Sequence, residues 1–405
     1  MNTRRIFLKQ SALAMAGFGA APLWLRRALA ASGNPGRPKV LVTIFLRGAA
    51  DGLNLLPPYA EQAYYDARPT LAVPRPGRND GALALDGHFG LHPALAPLHR
   101  LYKEKLLSAV VATGSPDPTR SHFDAQDYME SGTPGRKSTQ DGWLNRALSP
   151  ARGGSPVQAV SIGPRLPRSL RGAQPAVALN TVEEFRVKQA GAEMALESMY
   201  ARSRDAELSG AGRETFEALK LLESLRRQSY TPANGASYPR GKFGASLEQI
   251  ARLVKANVGL QAAFADLGGW DHHTNERAQL PGLLRQFGGA LAAFAQDMGD
   301  RMEDIAVVAM SEFGRTVREN GNGGTDHGHA NTMFLMGGPV AGGVIHGQWP
   351  GLARDQLYEG RDLAITTDFR EVLISFACRH LGLDGTASVF PGFTPSPGVW
   401  ESKRS

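Results

Sequence analysis

Lys39-Val40-Leu41-Val42-Thr43-Ile44-Phe45-Leu46, running straight into Arg47-Gly48-Ala49-Ala50-Asp51-Gly52-Leu53-Asn54, is the stretch that decides the fold. Eight residues of almost unbroken apolar and β-branched character read as a strand buried on both faces, as parallel sheets covered by helices on either side require. The strand ends in a turn with glycines on both sides of an acid. A buried strand delivering a carboxylate at its C-terminal end is how an open α/β sheet builds a site.

The same rhythm continues outward. Leu91 to Lys103 has helical spacing, Leu106 to Val111 reads as a second strand, and a helix is expected after Ser121. Downstream, Ser246 to Val258 reads as a helix with Ser246 as cap and Gln249 as its capping-box partner. Gln261 to Leu267 reads as a strand, Leu283 to Met302 as a helix, Ile305 to Met310 and Thr332 to Met336 as strands. Thr367 or Asp368 caps a last helix through Leu381. The expected fold class is therefore α/β, a mostly parallel central sheet with helices on both faces. Residues 150–245 break the rhythm: Pro and Gly are frequent up to about 180, then comes a helical composition with Leu219, Leu221, Leu222 and Leu225 on one face. We read 150–245 as a helical insertion or cap.

The first 30 residues read as an export signal. Arg4-Arg5 precede an apolar run from Ala12 to Leu25 and then Ala28-Leu29-Ala30, a small-residue cleavage site that matches the twin-arginine pattern. The apolar run is broken by Gly17, Gly19 and Pro22 and falls short of the ~20 residues a membrane span needs. The expectation is a periplasmic or secreted domain over 31–405, handed to the twin-arginine translocation machinery and carrying no integral membrane span. The chain has a net charge of +7. The leader holds Arg4, Arg5, Lys9, Arg26 and Arg27 and no acid, so without it 40 basic residues face 38 acidic ones. With no basic run interleaved with aromatics, a nucleic-acid partner is not expected. The single cysteine, Cys378, lies in an apolar segment and reads as a buried thiol.

Gly269-Trp270-Asp271-His272-His273 and Thr325-Asp326-His327-Gly328-His329 set carboxylates and imidazoles side by side, each next to a predicted strand. Oxygen and imidazole donors together suit a divalent ion. Asp51, Ser121, Asp271 and Glu312 follow predicted strands while Asp326, His327 and His329 precede one, and all of them can reach one sheet edge. Ser121, flanked by Arg120 and His122, is open to two readings: an ordinary helix cap, or a nucleophile placed where the helix N-terminus favours an anionic group. His346 is a further possible ligand; His88, His92, His99 and His380 read as structural.

Taken together, Arg47 to Asn54, Ser121 to Asp127 (Ser-His-Phe-Asp-Ala-Gln-Asp), Gly269 to His273, Ser311 to Thr316 (Ser-Glu-Phe-Gly-Arg-Thr) and Thr325 to His329, behind a twin-arginine leader, resemble domain-of-unknown-function family 1501. The resemblance covers nearly the whole chain after the leader. That family is similar to the alkaline phosphatase and sulfatase superfamily, which implies an alkaline phosphatase-like fold, Asp51 as first-strand ligand and Ser121 as nucleophile. It further implies Asp271 with His273 as a ligand pair, and Glu312 with His327 or His329 completing the set. His273 is preferred to His272 because the family usually has threonine at the latter position. Phe313 stands where the superfamily has a second ligand, so the implied cofactor is one or two divalent ions, zinc or manganese. Arg47, Arg120 or Arg315 would clamp the oxygens of an anionic ester substrate, and Ser121, His122 and Arg315 form the expected catalytic set. The implied activity is hydrolysis of phosphoric esters, ahead of sulfuric esters because no Cys/Ser-x-Pro-x-Arg segment is present. The alternative is an exported binding or assembly protein that keeps the fold.

Overall fold

Val40–Arg47 (β1) is buried on both faces, as its composition demands. In the computed structural model, which describes residues 37–148, 155–184, 206–383 and 387–396, six further strands of four residues or more join it: Leu107–Gly114 (β2), Ala159–Ile162 (β3), Ala176–Leu179 (β4), Ala262–Gly268 (β5), Ile305–Met310 (β6) and Asn331–Gly337 (β7). The proposed leader lies outside the described residues.

These strands form one sheet in the order β2, β7, β6, β1, β5, β3, β4, with the two-residue strands Ile345–His346 and Thr367–Asp368 both beside β2. β1 is parallel to β5 and β6, β5 to β3, and β3 to β4. β7 alone runs against its neighbours β6 and β2. The fold is thus α/β with a mostly parallel sheet. Because β7 is reversed, the residues before it leave from the same edge as those after β1, β2, β5 and β6, so no long return loop is needed to bring the two Asp/His segments together.

Alternation along β1 divides the core. Val40, Val42, Ile44 and Leu46 pack in a layer with Leu98, Leu247, Leu284 and Phe287, from the helices Ala96–Lys103 (α1), Lys242–Lys255 and Glu276–Met298. Leu41 and Phe45 face the other way, into Trp143, Leu144, Phe369 and Phe376. Helical segments therefore cover both faces. Each buried Leu, Ile or Phe contributes about 1.5–3 kcal/mol of transfer free energy. Cys378 is 1% exposed in the second layer and burial pushes its thiol up to about 12, so it is a packing residue.

Several elements differ from the sequence reading. The stretch 150–245 is not all helical: β3 and β4 extend the sheet at its edge, and the long helix described there is Ala206–Arg226. Their four-residue lengths and Pro-rich surroundings hid them. The helix expected to start at Ser246 starts at Lys242 after Gly241, and the Ser246 hydroxyl donates inside it to the Lys242 carbonyl. The helix expected from Leu283 starts at Glu276 and runs through Pro281, which lies early enough to cost one backbone bond without ending it. β2 extends to Gly114 through a register shift between Val110 and Thr113, where Ala112 takes φ +51°. No described helix is long and apolar enough to cross a membrane.

Candidate metal centre

The C-terminal edge of the sheet carries the polar cluster. After β1 the chain turns at Gly48, whose φ is +116° and where a Cβ would lie 2.8 Å from the Asp271 nitrogen; only glycine lets the β1 and β5 loops approach this closely. After β6, Ser311 ties the turn down: its Oγ donates to the Leu46 carbonyl at 2.6 Å and accepts from the Ala50 N–H at 3.0 Å. Before β7, residues 326–329 form a short ribbon with 314–316, in which Gly314 N–H donates to the His329 carbonyl and Thr316 N–H to the Asp326 carbonyl. That ribbon pairs His327 with Arg315.

Three imidazoles converge on one carboxylate. His122 Nε2 lies 3.5 Å from Asp271 Oδ2, and His327 Nε2 and His273 Nε2 lie 3.2 and 3.1 Å from Asp271 Oδ1. The ligand atoms of His122, Asp271 and His327 all fall within 4.8 Å of one another, the one such group among the described residues. His273 Nε2 stands 3.0 Å from His327 Nε2.

The opposite ring nitrogens assign the tautomers. His122 Nδ1 meets Glu312 Oε1 at 2.8 Å, His273 Nδ1 meets Asp326 Oδ1 at 3.1 Å, and His327 Nδ1 meets the Arg120 carbonyl at 2.9 Å. A carboxylate and a carbonyl only accept, so each Nδ1 donates, and a ring that is neutral turns a lone pair inward at Nε2. His122 Nε2 is buried with no hydrogen-bond partner. Inward lone pairs and a carboxylate packed this closely repel one another unless a proton or a metal cation lies among them. Outer acceptors on Nδ1 are also how proteins orient metal-binding histidines. The residues present therefore fit a divalent ion with mixed nitrogen and oxygen ligands.

Charge supports this arrangement. Burial pushes the Asp271 carboxyl up, but the Arg315 guanidinium outweighs it and holds the group below its usual range. Burial lowers His327, keeping it neutral. The Glu312 hydrogen bond raises His122 against the effect of burial. Burial alone would raise Glu312, but bonds from His122, Gln126 and the Gly48 N–H hold it ionised.

The sequence-predicted residues separate into two groups. Asp271, His273 and His327 come together at the centre, and His122, expected in a catalytic role, joins them. Glu312 is 1% exposed and meets the Nδ1 side of His122, so it lies behind the converging Nε2 atoms and not among them. Asp326 does the same for His273. Asp51 is not at the centre: both its oxygens are bound by Arg68, a pair sealed at 2% and 0% exposure. His329 stacks on Tyr358 with ring centroids 4.4 Å apart. His272 is buried, and burial lowers its pKa. His346 lies on the two-residue strand beside β2 and contacts the Ala341 carbonyl.

Ser121 is exposed and caps the helix His122–Ser131 (α2), accepting from the Asp124 N–H at 3.5 Å, so its hydroxyl sits on the rim one residue from a ligand. Arg315 is no free clamp: it donates to the Ala49, Gly48, Trp270 and Thr325 carbonyls and to Asp271 Oδ1 at 2.6 Å. Arg47 is held by Asp266, Gln126 and Glu130, and Arg120 by Glu359 and Asp362.

Sequence reasoning missed the layer beneath. Glu276 lies between Asn54 Nδ2 at 3.3 Å and Thr325 Oγ1 at 2.8 Å and is hydrogen-bonded to Asp51; burial, then Asp51, raise its pKa well above the normal carboxyl value. The neutral acid donates to Asp51, and Arg68 reaches on to the Thr316 and Val317 carbonyls. An acid in a first helical turn and an arginine before a proline carry no signal of such a partnership.

The solved structures most worth setting beside this one are distant. A sulfatase from Pseudoalteromonas sp. aligns at a TM-score of 0.39 and 11% identity, covering 91% of this chain and 74% of the other. A protein in the alkaline phosphatase superfamily from Vibrio parahaemolyticus aligns at 0.34 and 12%, covering 78% and 69%. Likenesses this weak assign no activity. No curated protein matches the chain by sequence. The family described as "Protein of unknown function (DUF1501)" matches residues 103–391, well over half of the sequence and all of the converging residues, and the chain belongs to that family.

Proposed function

We propose that the protein is an exported hydrolase of phosphoric esters working at a centre for one divalent ion, zinc or manganese, held by His122, Asp271 and His327 with His273 beside them. The observation that carries this reading is the convergence of three Nε2 atoms on one carboxylate, each ring held from behind at Nδ1. A divalent ion bound there supplies a Lewis acid that neutralises charge on a phosphoryl group. One ion is favoured over two because Glu312 is spent on His122 and Asp51 on Arg68.

The chain's own groups do the rest. Ser121, on the first-turn end of α2 beside His122, is the nucleophile: its oxygen bonds to phosphorus as the alcohol leaves, and water then releases phosphate and restores the hydroxyl. The α2 N-terminus favours the anionic group. Arg315 holds the Asp271 carboxylate in place from below. Sulfuric esters rank second, since Ser121 lacks the Ser-x-Pro-x-Arg setting. Export rests on Arg4-Arg5 and the short apolar run after them.

The test is a panel of phosphate monoesters, diesters and sulfate esters run on the metal-supplemented protein and on Ser121→Ala. Turnover of a phosphate ester that the substitution abolishes supports the reading. Turnover that survives rules out the seryl route, and no turnover across the panel favours a binding protein.

A further inference from the structure

A cleft of about 460 Å³, lined by none of the converging residues, is linked to the centre through Arg361. Its wall carries three arginines, Arg318, Arg354 and Arg361, against one carboxylate, Asp66. Arg361 joins the two places: its guanidinium donates to the carbonyl of the ligand His327 and to Asp362 Oδ1, while also lining the cleft. Arg318 and Arg354 are exposed, and among the described residues neither has an ion pair or side-chain hydrogen bond. Elsewhere around the centre the arginines are consumed by protein partners, as Arg47, Arg68, Arg120 and Arg315 are. The remaining wall includes Ala63, Leu352 and Leu357, so the charge sits beside an apolar surface.

Two unpartnered guanidiniums and a third anchored toward the centre form a positive, partly apolar recess. Guanidinium forks match phosphate, sulfate and carboxylate groups in two-point contact. We propose that this cleft is a second anion subsite, so that the substrate is a doubly anionic molecule. One ester group is placed at the metal centre, and a second phosphate, sulfate or carboxylate, joined to it by a short apolar or sugar-like body, is held by Arg318 and Arg354. The substrate-class half of this inference rests on the hydrolase reading above; the anion subsite does not.

The test is calorimetry with α,ω-alkanediol bisphosphates of increasing length beside the matching monoalkyl phosphates. It uses the zinc- or manganese-loaded full chain and its Arg318→Gln/Arg354→Gln variant, whose surface positions leave folding intact, checked by thermal melting. One spacer length should bind the wild type tenfold or more tighter than its monophosphate, and the double variant should lose that advantage while keeping its monophosphate affinity. Equal affinities across the series, or an advantage that persists in the variant, overturns the proposal. Asp271→Asn and the metal-stripped wild type separate the two readings. Arginine-dependent bisphosphate binding that survives in both, with no monophosphate bound by the loaded wild type, removes the metal-site hydrolase and leaves the subsite. Monophosphate bound at the centre with no arginine dependence anywhere removes the subsite alone.

Discussion

Glu312 accepts the Nδ1 proton of His122 at 2.8 Å across a sequence separation of 190, and thereby turns a buried, unpartnered Nε2 toward Asp271. The same carboxylate oxygen accepts from Gln126 and from the Gly48 N–H, so the imidazole is held by a rigid, fully ionised group. This pair ties the β6 end, the α2 start and the β1 turn to one ligand.

Glu312→Gln should keep the fold and weaken divalent-ion binding by roughly 10–100-fold, the usual consequence of removing an outer carboxylate behind a metal-binding histidine. Chelator-competition titration with zinc reads this directly. Unchanged affinity would mean that His122 is not a ligand.

Arg315 fastens three loops from a fully buried position. Arg315→Lys cannot reach the Ala49, Trp270 and Thr325 carbonyls together with Asp271, and should cost roughly 2–4 kcal/mol in denaturant unfolding, the penalty of leaving buried acceptors unpaired. A loss below about 0.5 kcal/mol, the range of ordinary surface changes, would contradict its role as the tie.

The Glu276 carboxyl is raised well above its normal value of 4.5 by burial and by Asp51. Its contribution to stability is fully present below the unfolded pKa and fades as pH rises through the folded one. Glu276→Gln keeps a donor toward Asp51 without that penalty, so its melting temperature should gain on the wild type as pH rises above the normal carboxyl value. Parallel melting curves at all pH values would show that Glu276 does not titrate with unfolding.

Ser121→Ala removes a cap from α2 and should lower stability by about 1 kcal/mol or less, since the bond to the Asp124 N–H is long and exposed. If Ser121 is also the nucleophile, turnover of phosphate esters falls by orders of magnitude with the melting temperature nearly unchanged. A small loss of stability with full activity would leave it a cap only.

The fold was legible because β1, β5, β6 and β7 are short apolar runs ending in acids or glycines, a pattern set by local burial. The converging Asp271, His273 and His327 were legible for the same reason: each stands within a few residues of a strand end. The roles of Asp51 and Glu312 were not. Whether a strand-end carboxylate meets an ion or a cation of the chain depends on Arg68 and His122, which arrive from other segments. His327 and His329 sit two apart in sequence, yet His329 stacks on Tyr358 while His327 joins the cluster. β3 and β4 escaped notice because four-residue edge strands carry too little pattern to compete with the prolines around them.

The central claim is that His122, Asp271 and His327 hold a divalent ion. Elemental analysis of the folded protein, equilibrated with zinc and manganese and desalted, tests it most directly. One ion per chain is expected, lost on His122→Ala or Asp271→Ala and retained on Asp51→Asn or His329→Ala in variants that still melt cooperatively. A folded wild type that retains no ion, or an ion that survives loss of His122 and Asp271 yet leaves with Asp51, would contradict it.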